Sequence, residues 1–251
     1  MRFLLTNDDG PDVAGLTTLQ RAVADLGESV IFVPRDGTAS RGHGVTRDAV
    51  LSIERTADRQ YVVDGLPADC VRLALTVLRE QIGPIDWVLA GINHGANLGV
   101  DVYYSGTVGA AREAVILGLP AVALSQYYKP GIEPDWARAG RWAGSIVRQM
   151  VERSDAQPVL WNVNFPALRA DQKLSGVTAC PVSTDPVPVV YENVQPVEQG
   201  RASVRYTGVY ADRAAGNDTD VERLFAGWIS VTALRLDATA DASEAAFCNP
   251  E

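Results

Sequence analysis

Histidine and cysteine are scarce in this chain. Two histidines, His43 and His94, are too few for a multi-histidine zinc site. The three cysteines, Cys70, Cys180 and Cys248, are odd in number, widely separated and without a Cys-x-x-Cys pair, so reduced thiols are expected and any bound metal should be hard and oxygen-liganded. No apolar run approaches the roughly 20 residues that cross a bilayer. Carboxylates as early as Asp8 and Asp9 leave no room for a signal peptide's apolar stretch, so a cytoplasmic protein with no membrane partner is expected. No Gly-x-Gly-x-x-Gly follows the first apolar run and there is no Walker loop, which removes support for a dinucleotide or P-loop site. Positive charge is short too. With 31 acidic against 22 basic side chains the net charge is −9, which disfavours stable binding of nucleic-acid polymers but leaves room for a small anion held locally.

What is present is an ordinary globular composition, 47% hydrophobic and 21% charged, enough for one large domain or one with an appendage. Residues 3–6 form a short apolar run that ends in Asn7-Asp8-Asp9-Gly10. Leu16, Leu19, Val23 and Leu26 then fall at helical spacing, and a second buried run, 30–33, stops at Pro34. This pattern predicts a strand-helix-strand crossover with a parallel pair. Residues 61–63, 86–92, 121–125 and 159–163 read as further strands and 68–79, 108–117 and 135–151 as helices. The alternation predicts an α/β protein with a mostly parallel sheet and helices on both faces. Residues 93–99, rich in asparagine and glycine, read as a polar strand-end loop rather than continued sheet. From about Leu174 the texture changes to short β-branched runs at 202–206 and 228–233. The chain is therefore divided into a catalytic core, 1–173, and a β-rich C-terminal extension, 174–251, which packs against another subunit while its last strand and tail return to the core.

In open α/β sheets, ligands collect beyond the carboxyl ends of the parallel strands, and Asp8, Asp9 and Asn93 all fall there. Adjacent carboxylates repel unless a cation or proton relieves them, and an asparagine carbonyl adds a neutral oxygen donor, so the three together suit magnesium or manganese. A tight turn or a helix cap uses the same residue types. Ser105-Gly106-Thr107 ahead of a helix offers hydroxyls and unpaired N–H groups that suit a phosphate, and also reads as a plain N-cap. Residues 35–46 read as a long loop carrying Thr38, Ser40, Arg41 and His43. His43 and His94 are the available imidazole acids or bases, or simply loop polarity.

Three segments, Leu4-Leu5-Thr6-Asn7-Asp8-Asp9-Gly10, Gly91-Ile92-Asn93-His94-Gly95-Ala96-Asn97-Leu98-Gly99 and Tyr104-Ser105-Gly106-Thr107-Val108, together give the chain a strong likeness to a known family. With Gly65 to Cys70, Asn162 to Pro166 and Gly227 to Thr232 in the same order, it resembles the SurE survival-protein family over nearly its whole length. The resemblance implies a Rossmann-like α/β fold with a β-rich extension exchanged within a homodimer or homotetramer. It also implies a phosphatase that uses one divalent metal per subunit, magnesium or manganese, to hydrolyse nucleoside 5′- or 3′-monophosphates. Asp8, Asp9 and Asn93 match that family's metal-binding and catalytic positions. The place of its metal-binding serine is taken by Ala39, so that Ser40, Thr38 or water would substitute, with Ser40 favoured as the ligand. Asn97, Ser105, Gly106, Thr107 and His43 are the expected substrate-binding residues. A nucleoside hydrolase, or a noncatalytic nucleotide-binding protein with an altered metal site, are the competing expectations.

Overall fold

The computed structural model describes residues 1–37, 41–153, 158–198 and 201–239. In chain order the elements are β1 (Arg2–Thr6), α1 (Ala14–Ala22), β2 (Glu28–Pro34), β3 (Ile53–Ala57), β4 (Gln60–Val63), α2 (Pro67–Leu75), α3 (Arg79–Ile82), β5 (Trp87–His94), α4 (Asp101–Tyr104), α5 (Gly106–Ile116) and β6 (Ala121–Gln126). There follow α6 (Trp136–Glu152), β7 (Leu160–Phe165), β8 (Gly176–Ala179), β9 (Tyr191–Glu198), β10 (Arg201–Tyr206), α7 (Asp220–Phe225) and β11 (Trp228–Leu234).

One sheet organises the molecule, in the order β3-β4-β2-β1-β5-β6-β7-β11-β8. The strands from β4 to β7 run parallel, β3 is antiparallel at one edge, and β11 runs antiparallel to β7 and parallel to β8 at the other. Period-two alternation puts apolar side chains on both faces. Phe3 and Leu5 pack with Leu16, Leu19, Ala143, Ile146 and Val147 of α1 and α6, whereas Leu4 packs with Cys70, Val71, Val108 and Ala111 of α2 and α5. The result is a doubly wound, Rossmann-like α/β sheet. Chain order reverses direction between β1 and β5, so the crevice beyond the carboxyl ends of those two strands is the topological switch point where such sheets bind ligands. Among the described residues no helix is long and apolar enough to cross a membrane.

The structure amends three local expectations. The stretch read as one helix over 68–79 divides, because Thr76 turns its hydroxyl back to the carbonyl of Arg72 (2.6 Å) and α2 ends, with α3 restarting at Arg79. β5 runs on through Asn93 and His94, which pair in register with Ser125 and Gln126, since β6 alongside extends equally far and offers its backbone groups. β3 escapes the pattern reading, because it lies at the sheet edge with four of its five residues exposed and carries little apolar alternation. Beyond β8, strands β9 and β10 form a separate two-stranded ribbon with Tyr191, Val194, Val204 and Tyr206 exposed, and β11 returns to the main sheet.

Candidate active site

β1 delivers Asn7, Asp8 and Asp9 to the switch point, and a local turn fixes them. The side chain of Asn7 accepts from the Gly10 N–H (3.2 Å) and donates to the Gly10 carbonyl (2.6 Å), with Gly10 at φ +101, a conformation that favours glycine. Asn7 drew no attention in the sequence, although an asparagine three residues before a glycine is a recognisable turn signal. Asp8 is 4% exposed and accepts the hydroxyl of Thr107 at 2.6 Å. Burial, with the charge of Asp9 adding to it, pushes its carboxyl above the usual range against the pull of the Thr107 hydroxyl and N–H. Burial also raises Asp9, which the backbone N–H and imidazole of neighbouring His94 partly offset.

Asn93 lies on the adjacent strand. Thr6 of β1 pairs with Ala90 of β5, and the two aspartates and Asn93 follow two to three residues beyond that pair. Its amide nitrogen donates to the Gly95 carbonyl at 2.9 Å. Asn97 is buried among strand ends: its N–H reaches Asn164 Oδ1 (2.8 Å), its side-chain amide reaches Ser125 Oγ (2.7 Å), and its carbonyl accepts from Asn162 (2.8 Å) and Asn164 (3.1 Å). The two asparagines of β7 had been noticed only as part of a motif. Their i, i+2 spacing, which puts both on one face of a strand, was the available signal.

The start of α5 comes to Asp8 directly. A methyl group on Gly106 would lie 2.9 Å from Asp8 Oδ2, so the helix can approach this closely only with glycine there. Ser105 caps α5 by accepting the Val108 N–H at 3.0 Å, the plain-cap alternative its sequence allowed. Thr107 directs its hydroxyl to Asp8. Gly106 and Thr107 therefore join the aspartate, whereas Ser105 Oγ accepts from the helix and keeps its own hydroxyl proton to donate.

His43 sits on the neighbouring loop. Gly42 donates its N–H to the Tyr104 carbonyl (3.0 Å), and the loop backbone presses on Gly109, where an added methyl would meet Gly42 O at 3.0 Å. The imidazole Nε2 of His43 lies 2.6 Å from Glu113, a 1% exposed carboxylate on α5 that also accepts from Arg72 Nε at 2.5 Å. Glu113 was not singled out in the sequence, because its partners lie 70 and 41 residues away. Although burial pushes its carboxyl up, the hydrogen bonds of His43 and Arg72 outweigh that and hold it below the usual range. Its stabilising effect is thus fully present above the ordinary glutamate value of 4.5 and is lost as pH falls through the lower folded value. Glu113→Gln is expected to cost about 2 kcal/mol at neutral pH, with the deficit shrinking in acid below 4.5. Urea unfolding of both proteins from pH 7 to pH 3 checks it, and a deficit independent of pH would exclude the ion-pair account. Ser40, with Thr38 and Ala39, lies outside the described residues.

Parallel strands that end at a carboxylate pair, with a helix N-terminus packed against it, define a Rossmann-like α/β protein with an acidic site at its switch point. A sequence model described as Survival protein SurE matches residues 3–187. The protein named 5′-nucleotidase SurE from Laribacter hongkongensis is 38% identical over 243 residues, 95% of this chain and 94% of that relative. Its namesake from Paramagnetospirillum magneticum is 36% identical over 95% of this chain and 91% of its own length. The crystal structure of the SurE protein from Aquifex aeolicus superposes with a TM-score of 0.82 at 31% identity, covering 95% of each chain. The chain belongs to the SurE family.

Proposed function

We propose that this protein is a nucleotidase that hydrolyses nucleoside 5′-monophosphates, and 3′-monophosphates as well, to nucleoside and inorganic phosphate with the help of a divalent cation. The observation that carries the reading is the buried Asp8, paired with Asp9 and packed against the first turn of α5. The names of the two relatives, each 5′-nucleotidase SurE, support the substrate class.

The donors suit a hard cation. Asp8 and Asp9 form a repulsive pair whose carboxyls are both raised, a repulsion that an oxygen-liganded cation would relieve. Asp8, Asp9 and Asn93 would hold one magnesium or manganese ion, with Ser40 as a further donor. Bound there, the ion would offset phosphate charge and lower the pKa of a water molecule, the two things that hydrolysis of a phosphate monoester most needs.

The chain's own groups do the rest. Thr107 directs its hydroxyl at Asp8 Oδ1 and so helps hold that carboxylate in one orientation. Of the amides in the first turn of α5, those of Val108 and Gly109 are taken by Ser105, while the Gly106 N–H has no acceptor among the described residues and is available to a phosphate oxygen beside Asp8. Asn97 keeps the strand-end loop in place through its bonds to β6 and β7. The imidazole adjoining Asp9 is that of His94, exposed between Tyr128 and Trp136 at ring separations of 5.1 and 6.1 Å, which places it to hold or pass a proton at the rim. His43 acts from the second loop, through Glu113. The exposed apolar residues of the β9–β10 ribbon support its exchange between subunits of a homodimer or homotetramer.

Phosphate release from a panel of nucleoside 5′- and 3′-monophosphates is expected to fall at least about 10²-fold after chelation and to return with magnesium or manganese. Release of free base instead of phosphate would establish the nucleoside hydrolase, and ligand-dependent thermal stabilisation without turnover would establish the noncatalytic binder.

A further inference from the structure

The backbone from residue 95 to residue 101 joins Asn93 to the short helix that leads into Ser105, and it is held from two sides. On the inner side the holders are β6 and β7: the Gln126 carbonyl accepts the Gly95 N–H (2.8 Å), and Asn162 and Asn164 bracket Asn97. On the outer side the holders come from more than a hundred residues later. The Tyr210 hydroxyl lies 2.7 Å from Asp101 Oδ2 and 3.0 Å from the Ala96 carbonyl, its one proton shared between the two acceptors. Arg213 donates to the Leu98 carbonyl (3.0 Å) and grips both oxygens of Asp101 at 2.8 and 3.1 Å, with its guanidinium 3.9 Å from the ring centre of Tyr210. Asp220 accepts the Gly99 N–H and the Ser183 N–H, each at 2.8 Å. Gly99 has φ +55, and a methyl there would meet the Ser183 carbonyl at 2.9 Å, so the late segment rests directly on the loop.

We propose that Tyr210, Arg213 and Asp220 are positioning residues of the active site, fixing the path of residues 96–101 so that Asn93 at one end and the first turn of α5 at the other are set against Asp8. All three lie past residue 187, where the match to the family model ends. They also lie outside the two large apolar layers on either face of the sheet: Tyr210 packs on a small separate cluster of Leu98, Tyr127, Val221 and Leu224. Loosening them therefore loosens the loop locally before it affects the fold. The Arg213–Asp101 fork is a bidentate charged pair, and Arg213 is only 9% exposed, so its geometry is directional as well as strong.

The proposal rests on the cation-dependent reading of the site, and its test separates the two. Full-length Arg213→Met and Tyr210→Phe are compared with wild type by amide hydrogen exchange and by calorimetric titration with manganous ion in the absence of nucleotide. Ile146→Val, in the distant core under α6, serves as a control for general destabilisation. In both loop variants, amides of residues 95–101 and 106–108 are expected to exchange about tenfold faster, with β1 and β6 unchanged, and the manganese dissociation constant to rise about tenfold. Arg213→Lys, which can restore one of the bonds, should recover part of both effects, and Ile146→Val should show neither. Unchanged exchange at residues 95–101 in both variants overturns the proposal, as does wild-type manganese affinity in both. Should Arg213→Met fail to fold, Tyr210→Phe removes a single oxygen and carries the test alone. Wild-type protein that takes up no manganese would refute the reading of the site, and the exchange measurement would then decide the positioning role by itself.

Discussion

Asp8→Asn is expected to lower turnover on the order of 10²–10³-fold, the scale of losing one charge-stabilising group at a reaction centre, while making the metal-free protein more heat-resistant. The two effects share one cause. Asp8 is buried beside a second carboxylate, and its pKa is raised by that burial, with the Asp9 charge contributing in the same direction. A carboxyl that ionises less readily folded than unfolded destabilises the folded state above its folded pKa, and the penalty disappears below the unfolded value of 3.8. Asparagine removes the charge, keeps the shape and still accepts the Thr107 hydroxyl. The metal-free variant should therefore melt higher at neutral pH, and this advantage should vanish near pH 3. Added magnesium or manganese should raise the melting temperature of wild type and not of the variant. Thermal melts with and without chelator, run beside phosphate release, check all three statements. Wild-type turnover in the variant would remove Asp8 from the reaction.

Gly106→Ala is the second large effect expected. The new methyl would stand 2.9 Å from Asp8 Oδ2 and 3.0 Å from Asp8 Cβ, closer than such atoms pack, and the Asp8 carboxylate cannot simply rotate away because Thr107, on the same turn, holds it. Either the helix start or the aspartate must move. Overpacking of this kind costs about 1–3 kcal/mol, and a displacement near 1 Å at a reaction centre costs about 10²-fold in rate. A fall in kcat of that order, larger than the loss of stability alone explains at a temperature where the variant remains folded, is the expected outcome. A variant with normal kcat and KM would show that α5 does not define the position of Asp8.

The opening crossover was legible in the sequence because each of its elements is punctuated: the first apolar run ends in Asn7-Asp8-Asp9-Gly10, helical spacing follows, and Pro34 closes the second strand. Asp8, Asp9 and Asn93 could be placed at strand ends for the same reason, since the end of a buried run can be read from local pattern alone. β3 could not, because an edge strand with exposed residues has no apolar alternation to announce it. The partnerships inside the site were beyond local reading as well. Thr107 reaches Asp8 across 99 residues, Glu113 reaches His43 across 70, and Arg213 reaches Asp101 across 112, and only the folded sheet brings such pairs together. Thr107 illustrates the limit: its hydroxyl and its place at a helix start were visible, but that the hydroxyl turns to a neighbouring carboxylate is a property of packing.

The order of strands at the far edge sets a timetable for the nascent chain. β8 has β11 as its sheet neighbour, so residues 176–179 wait for residues 228–234 before they can be paired. Arg213 and Asp220 likewise follow that loop by more than a hundred residues, and until they are made the loop beyond Asn93 lacks its outer supports. The parallel strands of the sheet can gather during translation before those outer supports exist, so the loop should become ordered later than the sheet beneath it.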